Sequence, residues 1–98
     1  MVSRKEEHRS LKQALEEFIE SNKLQKGIDQ IRVKEVWKEA MGPGVSKYTT
    51  AVQLKGDTLY VALSSSVLRE ELSLGRSKII ALLNEALGKD LVHKLILR

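Results

Sequence analysis

The stretch that decides the fold runs from Leu59 to Gly88 and reads LYVALSSSVLREELSLGRSKIIALLNEALG. At its start, Leu59, Val61 and Leu63 fall on one face and the residues between them on the other, which predicts a β-strand. Three serines at 64–66 then break the alternation, and a serine hydroxyl can accept a hydrogen bond from a free backbone N–H where a helix begins. Beyond them, leucine and isoleucine recur at spacings of three, four and seven up to Gly88, which predicts a long amphipathic helix that ends at this glycine.

The chain before this stretch begins with a predicted helix over residues 3–22. Its apolar residues share one face and its charged residues the other. Two helix starts compete, because two residue pairs have the capping-box spacing: Ser3 with Glu6, and Ser10 with Gln13. We expect an ordered helix from about Ser10, with residues 1–9 frayed or mobile.

A loop over Asn22–Gly27, with Leu24 turned inward, is expected to separate this helix from a second one. The second helix is predicted from Asp29, or three residues later, to Met41. The Gly-Pro-Gly sequence that follows ends it, because proline cannot continue a helix and glycine tolerates the turn.

A β-hairpin and a closing strand complete the predicted fold. Tyr48–Lys55 and Thr58–Leu63 alternate on either side of a tight turn, and Leu91–Arg98 predicts a last strand that is apolar on both faces. Gly75 predicts a kink or a split within the long helix. The predicted order is α-α-β-β-α-β in one domain over residues 1–98. This is an α+β fold, with a small three-stranded mixed sheet and helices packed on one face.

Composition excludes several classes of protein. The chain has no cysteine, and its two histidines, His8 and His93, lie at opposite ends, so we expect no disulfide, metal or cofactor. No apolar run is long enough for a membrane span and the N-terminus has no signal-peptide pattern, which predicts a cytoplasmic protein without membrane contact. The net charge of +4 is divided evenly, with +2 in residues 1–49 and +2 in residues 50–98. A positive surface therefore has to be assembled by folding.

Catalysis has little support in the sequence. The serines at 64–66 follow a strand, as the nucleophile of many hydrolases does, but the glycines of a nucleophile elbow are missing. We therefore interpret these serines as helix caps and predict no catalytic residue. Trp37 lies on the apolar side of the second predicted helix, which favours core packing over a role in stacking.

Basic side chains are the strongest candidates for a binding site. Guanidinium and ammonium groups on one surface contact nucleic-acid phosphates, which supplies affinity without sequence preference. On one continuous helix Arg69 and Arg76 share a face, since they are seven residues apart. The alternative is that these charges serve only solvation. The predicted nucleic-acid-binding residues are Lys34, Lys38, Lys47, Arg69, Arg76 and Lys78.

A series of short motifs runs through the chain from about Leu11 to Arg98. They are Trp37, Met41-Gly42-Pro43, Thr49, Gly56-Asp57-Thr58-Leu59-Tyr60-Val61, Ser65-Ser66, Glu71-Leu72 and Leu83-Asn84-Glu85-Ala86-Leu87-Gly88. In the order and spacing of these motifs the chain resembles the DciA family, long catalogued as a domain of unknown function.

This resemblance implies a KH-like, non-enzymatic domain that binds DNA, single- or double-stranded, and associates with the replicative helicase during its loading in bacteria. The chain lacks the GxxG loop with which KH domains clamp a nucleic-acid backbone. The alternative is a protein-interaction module with no nucleic-acid role, favoured by the even charge distribution and by the apolar last strand, whose edge can accept a partner strand.

Overall fold

A computed structural model of the chain describes residues 10–98. The prediction that residues 1–9 are frayed and the alternative helix start at Ser3 lie outside the described residues. Within these residues six elements follow one another in the order α-β-β-α-α-β. The prediction of an α+β fold is therefore confirmed. The order differs from the predicted α-α-β-β-α-β in two places, of which only the first contradicts the prediction, because a kink or split at Gly75 was expected.

The first difference is that one long helix, α1 (Leu11–Ser46), replaces the two predicted N-terminal helices. The Ser10 hydroxyl accepts from the backbone N–H of Gln13, whose side chain accepts in return from the backbone N–H of Ser10, which confirms the predicted capping box. The predicted loop at 22–27 is wrong, and Leu24 is 67% exposed instead of turned inward. The one glycine in that segment costs a helix only about 1 kcal/mol relative to alanine.

The regular part of α1 ends at Gly42, as the Gly-Pro-Gly sequence predicts. Gly42 has φ 78° and ψ 176°, a backbone conformation that residues other than glycine rarely adopt. Pro43 then starts one more turn, which ends at Ser46 and directs the chain into the sheet.

Three strands form a mixed sheet in the order β1–β2–β3, with β1 (Thr49–Lys55), β2 (Thr58–Leu63) and β3 (Lys94–Leu97). The antiparallel hairpin β1–β2 is confirmed, and Gly56 in its turn has φ 61°. A positive φ at the first of two loop residues is the pattern of a type II′ turn, whose twist matches that of the strands. β3 pairs with β2 in parallel, which requires a crossover connection.

The second difference is that the crossover contains two helices, α2 (Ser66–Ser73) and α3 (Arg76–Leu87). The chain breaks at Gly75, as predicted. The Ser65 hydroxyl accepts from the backbone N–H of Leu68, which confirms a helix cap, and α3 ends at Gly88 as expected.

The three helices of residues 10–98 pack on one face of the sheet, which confirms the predicted layering. The core contains the inward-facing residues of the strands and one side of each long helix. Its buried apolar residues are Val33, Val36, Trp37, Leu54, Leu59, Val61, Leu63, Ile79, Leu83, Leu87, Val92, Leu95 and Leu97. The outward-facing side chains of the strands are exposed or half-buried, so this second face, the open face, is not covered by any of residues 10–98.

Asn84 explains why the last strand is shorter than predicted. Its Oδ1 accepts from the backbone N–H groups of Leu91 (3.1 Å) and Val92 (2.8 Å), and its Nδ2 donates to the carbonyl oxygen of Val92 (2.8 Å). The backbone at 91–92 is therefore bound to a helix side chain, and strand pairing begins only at Lys94. The KH likeness implied by the family resemblance stays a prediction.

Candidate nucleic-acid interface

Three of the six predicted cations gather where α1 passes into β1. Lys34 and Lys38 line one depression beside the start of β1, and Lys38 and Lys47 line the next. Glu35 and Glu39 line the second depression as well, so carboxylates offset much of its positive charge. This surface offers cations to a ligand without forming a strongly positive patch.

The predicted pairing of Arg69 with Arg76 on one helix face does not hold, because the break at Gly75 places them on different helices. Arg69 is half-buried, and its Nη2 donates to the carbonyl oxygen of Leu63 at 3.0 Å. Its side chain thereby links α2 to the end of β2. Arg76 and Lys78 are exposed in the first turn of α3 and available to a ligand.

The open face of the sheet carries a group of residues that the sequence reasoning did not select. Tyr60 lies on the central strand β2, with the Nζ of Lys55 5.6 Å and the Cζ of Arg98 4.9 Å from the centroid of its ring. The alternation of β2 already placed Tyr60 opposite the buried Leu59 and Val61. What the sequence did not reveal is that cations from both neighbouring strands meet at this ring.

Ser64, Ser65 and Trp37 have structural partners. The Ser64 hydroxyl donates to the carbonyl oxygen of Tyr48, and that of Ser65 caps α2. Trp37 is 1% exposed, and its Nε1 donates to the hydroxyl of Thr49, which confirms the prediction that it packs in the core. Among residues 10–98 there is no group of side chains that could hold a metal ion, and no helix is long and apolar enough to span a membrane.

The N-terminal half of α1 extends beyond the packed part of the molecule. The described residues 10–98 measure 61 × 21 × 20 Å, and their radius of gyration is 18.3 Å where a compact chain of this length has about 13 Å. This half carries four exposed apolar residues on one side, which we call the apolar stripe: Leu11, Leu15, Phe18 and Ile19.

Polar contacts hold α1 where it leaves the packed part. The ammonium group of Lys89 forms a 2.7 Å ion pair with Asp29, and Gln25 donates to the same carboxylate. The hydrogen bond from Lys89 lowers the pKa of Asp29 below its ordinary value, although burial opposes this shift. Arg32 donates to the carbonyl oxygen of Leu87 at the end of α3. These contacts fix the direction in which the stripe projects.

Comparison with known proteins places these features in a family. No curated protein matches the chain. Residues 10–97 match the family described as Dna[CI] antecedent, DciA, which covers nearly all of the described residues. The motifs that carried the resemblance include Trp37, Thr49 and Asn84, and the structure shows all three in hydrogen bonds that hold the fold. The chain therefore belongs to the DciA family, whose members are non-enzymatic adaptors with a helicase-loader-associated role in DNA replication.

Proposed function

We propose that this protein is a DNA-binding adaptor that associates with the replicative helicase and helps to load it onto DNA. The observation that carries the proposal is the family match over residues 10–97. Two surfaces support it: the cations at the end of α1 and on α3, and the apolar stripe. The proposed phosphate contacts are those of Lys34, Lys38, Lys47, Arg76 and Lys78, with Arg69 contributing mainly by holding α2.

The apolar stripe supports contact with a protein partner. Leu15 and Phe18 are 53% and 69% exposed, and burying the exposed part of each against a partner contributes about 1–2 kcal/mol of hydrophobic free energy. Helix-in-groove binding uses anchors at this spacing. We therefore propose the stripe as the surface that meets the helicase.

A matched pair of variants tests this contact. Leu15 and Leu24 are both exposed leucines of α1, and they are nine positions apart, which is two and a half helical turns, so they lie on opposite sides. Leu15→Glu should abolish capture of purified helicase, whereas Leu24→Glu should preserve it. Equal capture by both variants contradicts the proposed surface.

A salt titration tests the DNA half of the proposal. Binding through phosphates should weaken steeply as salt rises, and Arg76→Glu with Lys78→Glu should lower the affinity. The second candidate function is a protein-interaction module with no nucleic-acid role, which the exposed stripe favours. Helicase capture that survives nuclease treatment, together with no DNA binding by the protein at low salt, identifies that second function.

A further inference from the structure

We propose that the open face of the sheet binds single-stranded DNA, with one base stacked near Tyr60 and the flanking phosphates held by Lys55 and Arg98. The proposal rests on the DNA-binding half of the proposed function and names a site separate from the helix cations. It starts from the position of Tyr60 at the middle of the central strand. No helix of residues 10–98 packs on that face, so the surface around the ring is accessible.

The charge of this face matches a polyanion. Its outward-facing strand side chains include the cations Lys55 and Lys94, with Arg98 directly after β3, and no carboxylate among the strand residues of 10–98. One carboxylate, that of Asp57 in the hairpin turn, lies at the rim of the face, where it accepts from the Thr58 hydroxyl. Around Tyr60 the open face is therefore predominantly positive, whereas beside Lys38 the cations are mixed with Glu35 and Glu39.

The geometry of the face suits a single strand crossing the sheet on a diagonal. Lys55 is paired with Thr58, two residues before Tyr60 on β2, and the backbone N–H of Arg98 donates to the carbonyl oxygen of Val61, just after it. The two cations thus stand on opposite sides of the ring, one contributed from each neighbouring strand. A segment laid along this diagonal meets a cation, an aromatic ring and a second cation in turn.

Unpaired strands are favoured over duplexes because their bases expose a π-face. Single-stranded segments bind by stacking bases on aromatic side chains within a positively charged surface, and open sheets with a central aromatic residue are used in this way. In a duplex the bases are stacked on one another, so Tyr60 has no face to contact.

Fluorescence anisotropy with a labelled 20-nucleotide oligothymidine, and with a 20-base-pair duplex, tests the site in the full chain. Tyr60→Leu should weaken oligothymidine binding at least about fivefold, the loss expected for one stacked base, and leave duplex binding unchanged. Tyr60→Phe keeps the ring and should stay within about twofold of the wild type. Lys55→Gln with Arg98→Gln should lower the affinity and flatten its salt dependence, whereas Lys12→Gln, on the projecting half of α1, should do neither.

A photocrosslink keeps the test independent of variant stability. Oligothymidine carrying one 5-iodouracil should crosslink to Tyr60 in the wild-type protein, as mapped by mass spectrometry. Oligothymidine binding that depends on Arg76 and Lys78, with crosslinks confined to α1 or α3, overturns this site but preserves DNA binding by the protein. Absence of any oligothymidine or duplex binding at low salt overturns both this site and the DNA half of the proposed function.

Discussion

Replacement of Asn84 by alanine should be among the most destabilising polar substitutions in this chain. The Asn84 side chain is the partner of the backbone N–H and C=O groups of Val92, a residue with 0% exposure, and of the N–H of Leu91. A buried backbone group left without a partner costs about 1–3 kcal/mol, and Val92 contributes two such groups. Alanine regains roughly 0.5 kcal/mol through its higher helix propensity in α3. The expected net loss in the free energy of unfolding is about 2–4 kcal/mol.

Urea denaturation measures this loss through far-ultraviolet circular dichroism and the fluorescence of the buried Trp37. The midpoint should fall with the slope unchanged, because the loop and not the extent of the folded core is altered. The melting temperature should fall by roughly 10–25 °C, since each kcal/mol corresponds to about 4–8 °C in a domain of this size.

Two further variants test whether the loss of stability comes from the hydrogen bonds of Asn84 or from any substitution in this part of α3. Asn84→Asp keeps the acceptor for Leu91 and Val92 but puts a carboxylate oxygen against the carbonyl oxygen of Val92 and the carboxylate of Asp90, so it should also destabilise the protein at neutral pH, and less so at acidic pH where the carboxyl group can donate. Glu85→Ala, at the exposed neighbouring position, should stay within about 0.5 kcal/mol of the wild type. An Asn84→Ala protein as stable as Glu85→Ala would refute the assignment of the loop to this side chain.

Three other perturbations test the fold. The Asp29–Lys89 pair should stabilise the protein fully above pH about 4, the unfolded pKa of an aspartate, and this stabilisation should be lost as pH falls through the lowered folded pKa of Asp29. The free energy of unfolding, measured against pH, should therefore fall more steeply on acidification in the wild type than in Asp29→Asn. Parallel curves for the two proteins contradict this role of the pair. Trp37→Phe should cost about 1–2 kcal/mol in urea denaturation through the lost hydrogen bond to Thr49 and the lost volume; no loss argues against a buried indole. Gly42→Ala should cost about 1–3 kcal/mol by thermal melting because of its positive φ, and an unchanged melting temperature refutes the strained turn.

The sequence contains a pattern that indicates one continuous α1, although the spacing within each short segment predicts two helices. Leu11 and Asp29, Leu15 and Val33, and Phe18 and Val36 are each 18 residues apart, which is five full turns of an α-helix. In a single helix the exposed apolar stripe therefore lies on the same side as the buried residues Asp29, Val33 and Val36. The predicted loop at residues 22–27 contains one glycine and no proline, and such a segment can continue a helix at small cost.

The sequence by itself determined the local elements, because alternation, capping and turn chemistry depend on residues that are neighbours along the chain. The strand at Leu59–Leu63, the serine cap at Ser65 and the break at Gly75 belong to this class. It also determined the family, since the order and spacing of short motifs survive without knowledge of contacts.

Only the tertiary structure decided which surfaces are left free. Lys89 pairs with Asp29 from 60 residues away, and the Gln30 side chain pairs with the backbone of Leu54 at the edge of β1. Tyr60 and Arg98 meet because β3 returns beside β2. Contacts of this kind depend on how separated segments pack, and the periodicity of any one segment carries no information about its partner. The stretch from Leu59 to Gly88 therefore determines the central strand and the two helices that follow it. The packing of separate segments brings Lys55 and Arg98 to Tyr60 on the open face of the sheet, opposite the buried leucines.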